Sequence, residues 1–380
     1  MESPFIYGHL AIGKTFTNRE TETKMLSSNF QNGLSTILIS PRRWGKSSLV
    51  QKAAEVAMAN DKQLKVCFLD LFNIRSEEQF YEYLANEVIK SVSGKLEEVT
   101  ENAKKFLGKF IPKISMSLEA NSEVTLGLIW NEIKKSPDEI LDLAEKLAAE
   151  KGIRIVLCVD EFQDIGSFGK PLDFQKKLRS HWQHHRHVSY CLYGSKRHMM
   201  MEVFASASMP FYKFGEILFL QKIKEDDWVK FIVARFKSTK KKIKSKEARL
   251  IANCVECHPY YVQQLAHQAW LRTDAECSES IVLNAFEDLT AQLSMLFQMG
   301  INNLSNPQAN FLHALINNEE QLSSKKILKK YRLGTSANIA RIKQALLNKD
   351  AIDVLPDRID FIDPVFKYWL KKYYFQKIPD

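Results

Sequence analysis

The chain has 380 residues, 45% of them hydrophobic, enough to bury a sizeable core and to divide into two or three domains. No apolar run approaches the roughly 18 residues of a membrane span, and no basic segment followed by an apolar one opens the chain, so a membrane helix is excluded and the cytoplasm is the expected location. A net charge of +9, from 54 basic against 45 acidic residues, is compatible with nucleic-acid contact without demanding it.

The first motif in chain order is a literal phosphate-loop pattern, G-x-x-x-x-G-K-T, from Gly8 to Thr15. Backbone N–H groups cradle phosphate only when a buried strand delivers the loop and a helix N-terminus follows it. Few residues precede Gly8, and Thr15 leads into Phe16-Thr17-Asn18-Arg19-Glu20 instead of an apolar helix, so this copy reads as a decoy. Thr17 to Glu20 has capping-box spacing, which predicts a helix over about residues 18–31. The β-branched run Thr36 to Ile39 predicts a strand, and Lys46 opens a helical pattern of Leu49, Val50, Ala53, Ala54, Val56 and Ala57. The intervening Ser40, Pro41, Arg42, Arg43, Trp44, Gly45, Lys46 and Ser47, with Ser48 behind them, are therefore the expected phosphate loop. Ser40 stands where the motif has its first glycine, which requires either an ordinary backbone there or a strained one.

Further strands are predicted at Leu64 to Asp70, Ile153 to Asp160, Val188 to Tyr193 and Ile217 to Leu220, separated mostly by helical patterns. That alternation predicts an α/β fold with a parallel sheet covered on both faces. Between the second and third strands, strict alternation on both sides of a short turn predicts an inserted β-hairpin over about residues 112–128, to which no role is assigned. The third strand ends in Asp160-Glu161, where Asp160 would hold Mg²⁺ through water and Glu161 would orient the water attacking a γ-phosphate. Alone, the pair could equally be an exposed acidic turn. His181 and His185 stand one helical turn apart, but with no carboxylate nearby in sequence they read as a polar approach to the next strand, with a metal site as the alternative.

From about residue 222 to 300 the pattern is helical throughout, implying a lid. It includes the densest basic stretch, Lys237 to Lys246, read as a solvated loop with an anionic partner as the alternative. Cys254-Val255-Glu256-Cys257-His258 matches a haem-attachment pattern, but no second C-x-x-C completes a zinc site and an ordinary helix end is preferred. The six cysteines as a whole include three in predicted strands and read as small core residues. In the last eighty residues, Ser305 to Pro307 opens a helix, Ser323-Ser324 a short second one, and Ser336 caps a third. A hairpin from Ala351 to Leu355 and Ile359 to Ile362 completes a winged helix. On its third helix Ile339, Ile342 and Leu346 face inward, leaving Asn338, Arg341, Gln344 and Asn348 where a DNA reader places its contacts; an intramolecular or protein-docking role stays open.

Taken together, Phe16 to Glu20, the loop from Ser40 to Ser47, Val159-Asp160-Glu161-Phe162-Gln163, Leu192-Tyr193-Gly194-Ser195, His258-Pro259 with the following residues, and Ile362 to Leu370 resemble the archaeal-type ATPase family, a branch of the STAND class related to AAA+ proteins. The resemblance covers nearly the whole chain. It implies a P-loop core over residues 1–221 with strand order 5-1-4-3-2, a helical lid over 222–300 and a winged-helix domain over 301–380. It further implies that Lys46 bridges the β- and γ-phosphates, that Ser47 ligates Mg²⁺ together with Asp160, and that Ser195 stands at the sensor position facing the γ-phosphate. Pro259 would pack on adenine, and the segment around Arg19 would close the other side of the base. Two departures stand out: Ser40 in the loop, and Cys257-His258-Pro259 in place of Gly-x-Pro in the lid. Arg42, Arg43 and Arg197 are arginine-finger candidates by proximity only, and without such a finger slow turnover is expected.

The resulting expectation is an ATP- and Mg²⁺-dependent conformational switch that hydrolyses ATP slowly, with a DNA-binding protein regulated by nucleotide as the alternative and a small-molecule phosphotransferase ranked last. DNA or a protein could engage the winged helix, no membrane partner is expected, and an oligomer is left open.

Overall fold

In strand β1 (Thr36–Ile39) every residue is buried, because parallel neighbours flank it on both sides. The computed structural model describes residues 2–13, 16, 18–93, 137–355 and 357–377, so the hairpin expected over residues 112–128 lies outside the described residues. Strands β2 (Leu64–Asp70), β3 (Arg154–Asp160), β4 (Val188–Gly194) and β5 (Glu216–Phe219) complete a five-stranded sheet. Its pairs are parallel throughout and its order is β2-β3-β4-β1-β5, the 5-1-4-3-2 order implied by the resemblance read from the other edge. Alternate residues point to opposite faces: Ile155, Leu157 and Val159 join one apolar cluster with Phe80, Leu84, Leu147 and Phe174, while Val156 and Cys158 are buried on the other side. Burial on both faces is why these strands read as nearly unbroken apolar runs.

Helices connect the strands: α1 (Glu20–Gln31) precedes the sheet, α2 (Lys46–Asn60) follows β1, and α3 (Glu77–Val92) follows β2. Before β3 come α4 (Pro137–Leu141) and α5 (Leu143–Lys151), and after it come α6 (Pro171–Trp182) and α7 (Arg197–Phe204) on either side of β4. The start of α1 differs from the capping-box expectation. Arg19, at φ 72°, is its N-cap and supplies no side-chain cap; its guanidinium instead donates to Glu22 at 2.9 Å and to the Gln221 carbonyl at 2.6 Å.

The chain divides into two compact units, Arg19–Gln221 and a second made of Met1–Asn18 with Lys222–Asp380. The second holds α8 (Glu225–Ser238), α9 (Ser245–Cys254), α10 (Pro259–Arg272) and the long α11 (Glu279–Asn302), then α12 (Asn306–Ile316), α13 (Lys325–Lys330) and α14 (Ser336–Asn348). An antiparallel wing of Ile352–Val354 with Ile359–Phe361 and a short helix, α15 (Pro364–Trp369), follow. The N-cap position of helix α14 falls one residue earlier than expected, at Thr335, which makes no side-chain cap, so Ser336 is in its first turn. One apolar cluster runs from Phe5 through Trp228, Val262 and Phe286 to Leu346, Val365 and Trp369. The helical segment and the winged helix therefore share a core, into which Phe5 inserts edge-on against Phe231 and Phe236 at 6.1 and 5.7 Å. Among the described residues no helix is long and apolar enough to cross a membrane.

Candidate nucleotide site

Three strand ends supply the site: Ser40 follows β1, Asp160 ends β3, and Ser195 follows β4. Ligands of open α/β sheets bind at this carboxyl edge. The question left by Ser40 is answered by the backbone: Ser40 is absent from the positive-φ residues, whereas Arg43 and Gly45 carry φ of 64° and 87°. The loop's unusual turn sits three and five residues further on, and Ser40 is fully buried, its hydroxyl bonded to the Pro41 carbonyl at 3.1 Å and its N–H directed at the Gly194 carbonyl at 3.4 Å. Gly45 is the N-cap of α2, and no side chain caps that helix, so its first-turn donors are left to the loop. Pro41 and Ser48 are buried, Trp44 is half-buried, and Arg42 and Arg43 are exposed.

Lys46, Ser47, Asp160, Glu161 and Ser195 form one hydrogen-bonded network. Lys46 Nζ meets Glu161 Oε1 at 2.8 Å and Asp160 Oδ1 at 3.3 Å. Ser47 Oγ donates to Asp160 Oδ2 at 2.7 Å, and Ser195 donates to Glu161 Oε2 through Oγ at 2.8 Å and through N–H at 3.2 Å. Gln163, part of the motif that ends β3 but assigned no role from sequence, adds an amide donor to the same Oε2 at 2.6 Å. Glu161 adopts φ 50°, turning the chain from β3 into a 3₁₀ turn, Phe162–Ser167. Phe162 anchors that turn against Trp182, Phe204 and Phe211 at 6.2, 5.6 and 5.3 Å.

The two carboxyls are tuned in opposite directions. Burial raises Asp160 more than the charge of Lys46 and the Ser47 hydroxyl lower it. Burial is also the largest single influence on Glu161, but Lys46, Gln163 and Ser195 together outweigh it and hold the group below the usual carboxylate range. Asp164 next door is raised by burial and then by the charge of Glu161.

These residues fit a triphosphate with Mg²⁺. An uncapped helix N-terminus and a lysine suit phosphate oxygens, and a hydroxyl beside one carboxylate is the sparse oxygen set with which Mg²⁺ is held alongside phosphates and water. Among the described residues no group of three or more His, Cys, Asp or Glu side chains could hold a metal by itself.

Other predicted residues fall elsewhere. Pro259 opens α10 in the second unit, and Arg19 belongs to the first. Arg197 lies over the Phe219 ring at 5.3 Å. The decoy motif belongs to the second unit; Gly8 and Gly13 are preceded by no strand among the described residues, and Lys14 and Thr15 lie outside them. Carboxylates absent from the neighbourhood of the histidines in sequence arrive through the fold: Asp142 Oδ1 lies 2.8 Å from His181 Nδ1 and 3.1 Å from His185 Nε2, and Tyr190 OH is 2.6 Å from His185 Nδ1. On α14, Arg341, Gln344 and Asn348 are exposed as expected, but Asn338 is half-buried and donates to the Leu333 carbonyl at 3.0 Å.

A family model described as an ATPase domain predominantly from Archaea matches residues 16–265, and a probable winged helix domain matches residues 295–372. A search of curated proteins finds no match. Among solved structures, the Walker-type ATPase of Pyrococcus abyssi is 17% identical with a TM-score of 0.65, the alignment covering 97% of this chain and 99% of that one. The ORC2 protein of Aeropyrum pernix in its ADPNP–ADP complexes is 14% identical with a TM-score of 0.57, covering 96% and 93%. At these identities the likeness is one of fold.

Proposed function

The chain belongs to the family of ATPase domains found predominantly in Archaea, and on that premise we propose that it binds ATP with Mg²⁺ at Ser40–Ser48 and hydrolyses it slowly as a conformational switch. The observation that carries this is the network joining Lys46, Ser47, Asp160, Glu161 and Ser195 at one edge of the sheet. Lys46 and the first turn of α2 would receive the phosphates, and Ser47 with Asp160 would hold Mg²⁺, which neutralises phosphate charge. Water supplies the oxygen of the new P–O bond, the bridging oxygen leaves with ADP, and Glu161 orients that water. Arg42 and Arg43 are exposed and can meet a triphosphate, and slow turnover is the expectation for a site to which no arginine finger is assigned. The switch reading draws on two compact units joined by two chain crossings.

Titrating wild type and Lys46→Ala with ATP and ADP in Mg²⁺, and measuring turnover of Glu161→Gln, tests the site. Lys46→Ala should lose triphosphate affinity, and Glu161→Gln should bind ATP without turning it over. Unchanged affinity in Lys46→Ala would remove the assignment.

One observation favours DNA as a partner. Lys325, Lys326, Lys329 and Arg332 are exposed on and beside α13, with Arg341 exposed on α14. The wing is acidic: Arg358 is engaged by Asp357 and Asp360 at 3.1 and 2.8 Å. Binding through the helices should weaken steeply with salt in a gel shift at two salt concentrations. Absence of salt-sensitive duplex binding, with and without ATP, rules this reading out.

A further inference from the structure

We propose that Gln163 is a positioning residue that fixes one carboxylate oxygen of Glu161 and leaves the other free to change partners. The proposal rests on the ATPase reading of this site.

Gln163 is buried, 1% exposed, on the turn that follows Glu161. Its amide nitrogen lies 2.6 Å from Glu161 Oε2, and since a carboxylate only accepts, this end of the amide must be the NH₂. The carbonyl end, Oε1, is then turned inward and accepts no hydrogen bond among the described residues. It occupies the space beside Gly194: a Cβ on Gly194 would stand 1.9 Å from Gln163 Oε1 and 2.8 Å from Met200 Sδ. Gly194 has an ordinary φ, so glycine is needed here for space and not for backbone freedom.

Packing alone does not call for an amide. A buried side chain with one orphaned acceptor is less favourable than an apolar one of the same size, and such an exception calls for an explanation. The reason is the division of bonds on Glu161. Oε2 takes Gln163 and both donors of Ser195, from the turns that follow β3 and β4. Among the described residues Oε1 takes only Lys46, the residue expected to turn toward phosphate. When the lysine leaves with the nucleotide, Oε1 is released to accept from water, while Oε2 keeps the carboxylate aimed.

Gln163→Met keeps the volume and removes the donor. It should leave ATP affinity within about threefold of wild type and lower kcat about a hundredfold, the cost of a misplaced reacting group. Gly194→Ala should destabilise the protein through its contact with Gln163 Oε1. Adding Gln163→Ala to Gly194→Ala removes the closer contact and leaves only the flexible Met200 side chain to shift, so the double variant should regain part of its thermal midpoint but not its kcat. Wild-type kcat in a folded Gln163→Met, or recovery of kcat together with stability in the double variant, would overturn the proposal alone. Absence of Lys46-dependent turnover in wild type would overturn the ATPase reading and this proposal together.

Discussion

Lys46 stands against two neighbouring carboxylates, with 11% of its side chain exposed against 15% for Asp160 and 16% for Glu161. Removing one partner of so buried a set leaves charge without compensation, so Lys46→Ala without nucleotide should cost about 3 kcal/mol in urea unfolding. Neutralising a carboxylate should return part of that, so Lys46→Ala with Glu161→Gln should cost less than the sum of the single changes. Additive values would mean that the lysine and Glu161 are not coupled. Lys46 and Ser47 are legible in the sequence because they open the helix that follows the β1 run and its loop, Asp160 and Glu161 because they end the apolar run of β3. The contact between Gln163 and Gly194 is not, although both stand in motifs of the resemblance, because it depends on the ends of β3 and β4 meeting in space. Ser40 reads as a defect only until the loop's positive φ is found at Arg43 and Gly45.

Between helices α9 and α10, Glu256 and Cys257 hold φ of 49° and 56°, so the turn where the resemblance implies glycine is made by two side-chain-bearing residues. The backbone bonds are satisfied, Cys257 N–H to the Ala252 carbonyl at 2.8 Å and His258 N–H to the Val255 carbonyl at 2.9 Å, so the cost is conformational. Cys257→Gly should relieve about 1 kcal/mol of left-handed strain, less the entropy glycine adds to the unfolded chain, raising the urea midpoint slightly. A lowered midpoint would show that the half-buried thiol contributes more than the strain. A second element-level effect depends on pH. Asp142, at the N-cap of α5, is spent on His181 and His185 instead of capping the helix. Burial raises its carboxyl, but the two histidines outweigh it, so its folded value lies below the ordinary aspartate range. Its contribution is therefore present above about pH 4 and fades as pH falls through the depressed value. With a third of the side chain exposed, Asp142→Asn should cost no more than about 1 kcal/mol at neutral pH. That difference should shrink below about pH 4; a pH-independent difference would refute the linkage. The five strands were legible because burial on both faces leaves unbroken apolar runs, but this cluster was not, since its carboxylates come from helices preceding β3.

At the scale of the whole chain, cores matter more than segments. The sequence divides the C-terminal half into a helical lid and a winged helix, but their apolar residues form one cluster, with Phe297 against Phe366 and Trp369 at 5.3 and 5.9 Å. Glu287 on α11 accepts from Tyr368 and Tyr373 at 2.7 Å each and from Lys372 at 2.6 Å, adding polar ties across the same joint. The winged-helix segment cannot swing free of α11, with which it shares aromatic rings through α15, without exposing them, and each such buried ring removed costs about 3–5 kcal/mol. Calorimetry should accordingly show at most two cooperative transitions. Trp228→Ala and Trp369→Ala, at sites 1% and 4% exposed, should lower the same one, and Phe162→Ala the other. A separate transition that responds to Trp369→Ala but not to Trp228→Ala would make the winged helix an independent body, and a nucleotide-driven motion would then have a third part to move.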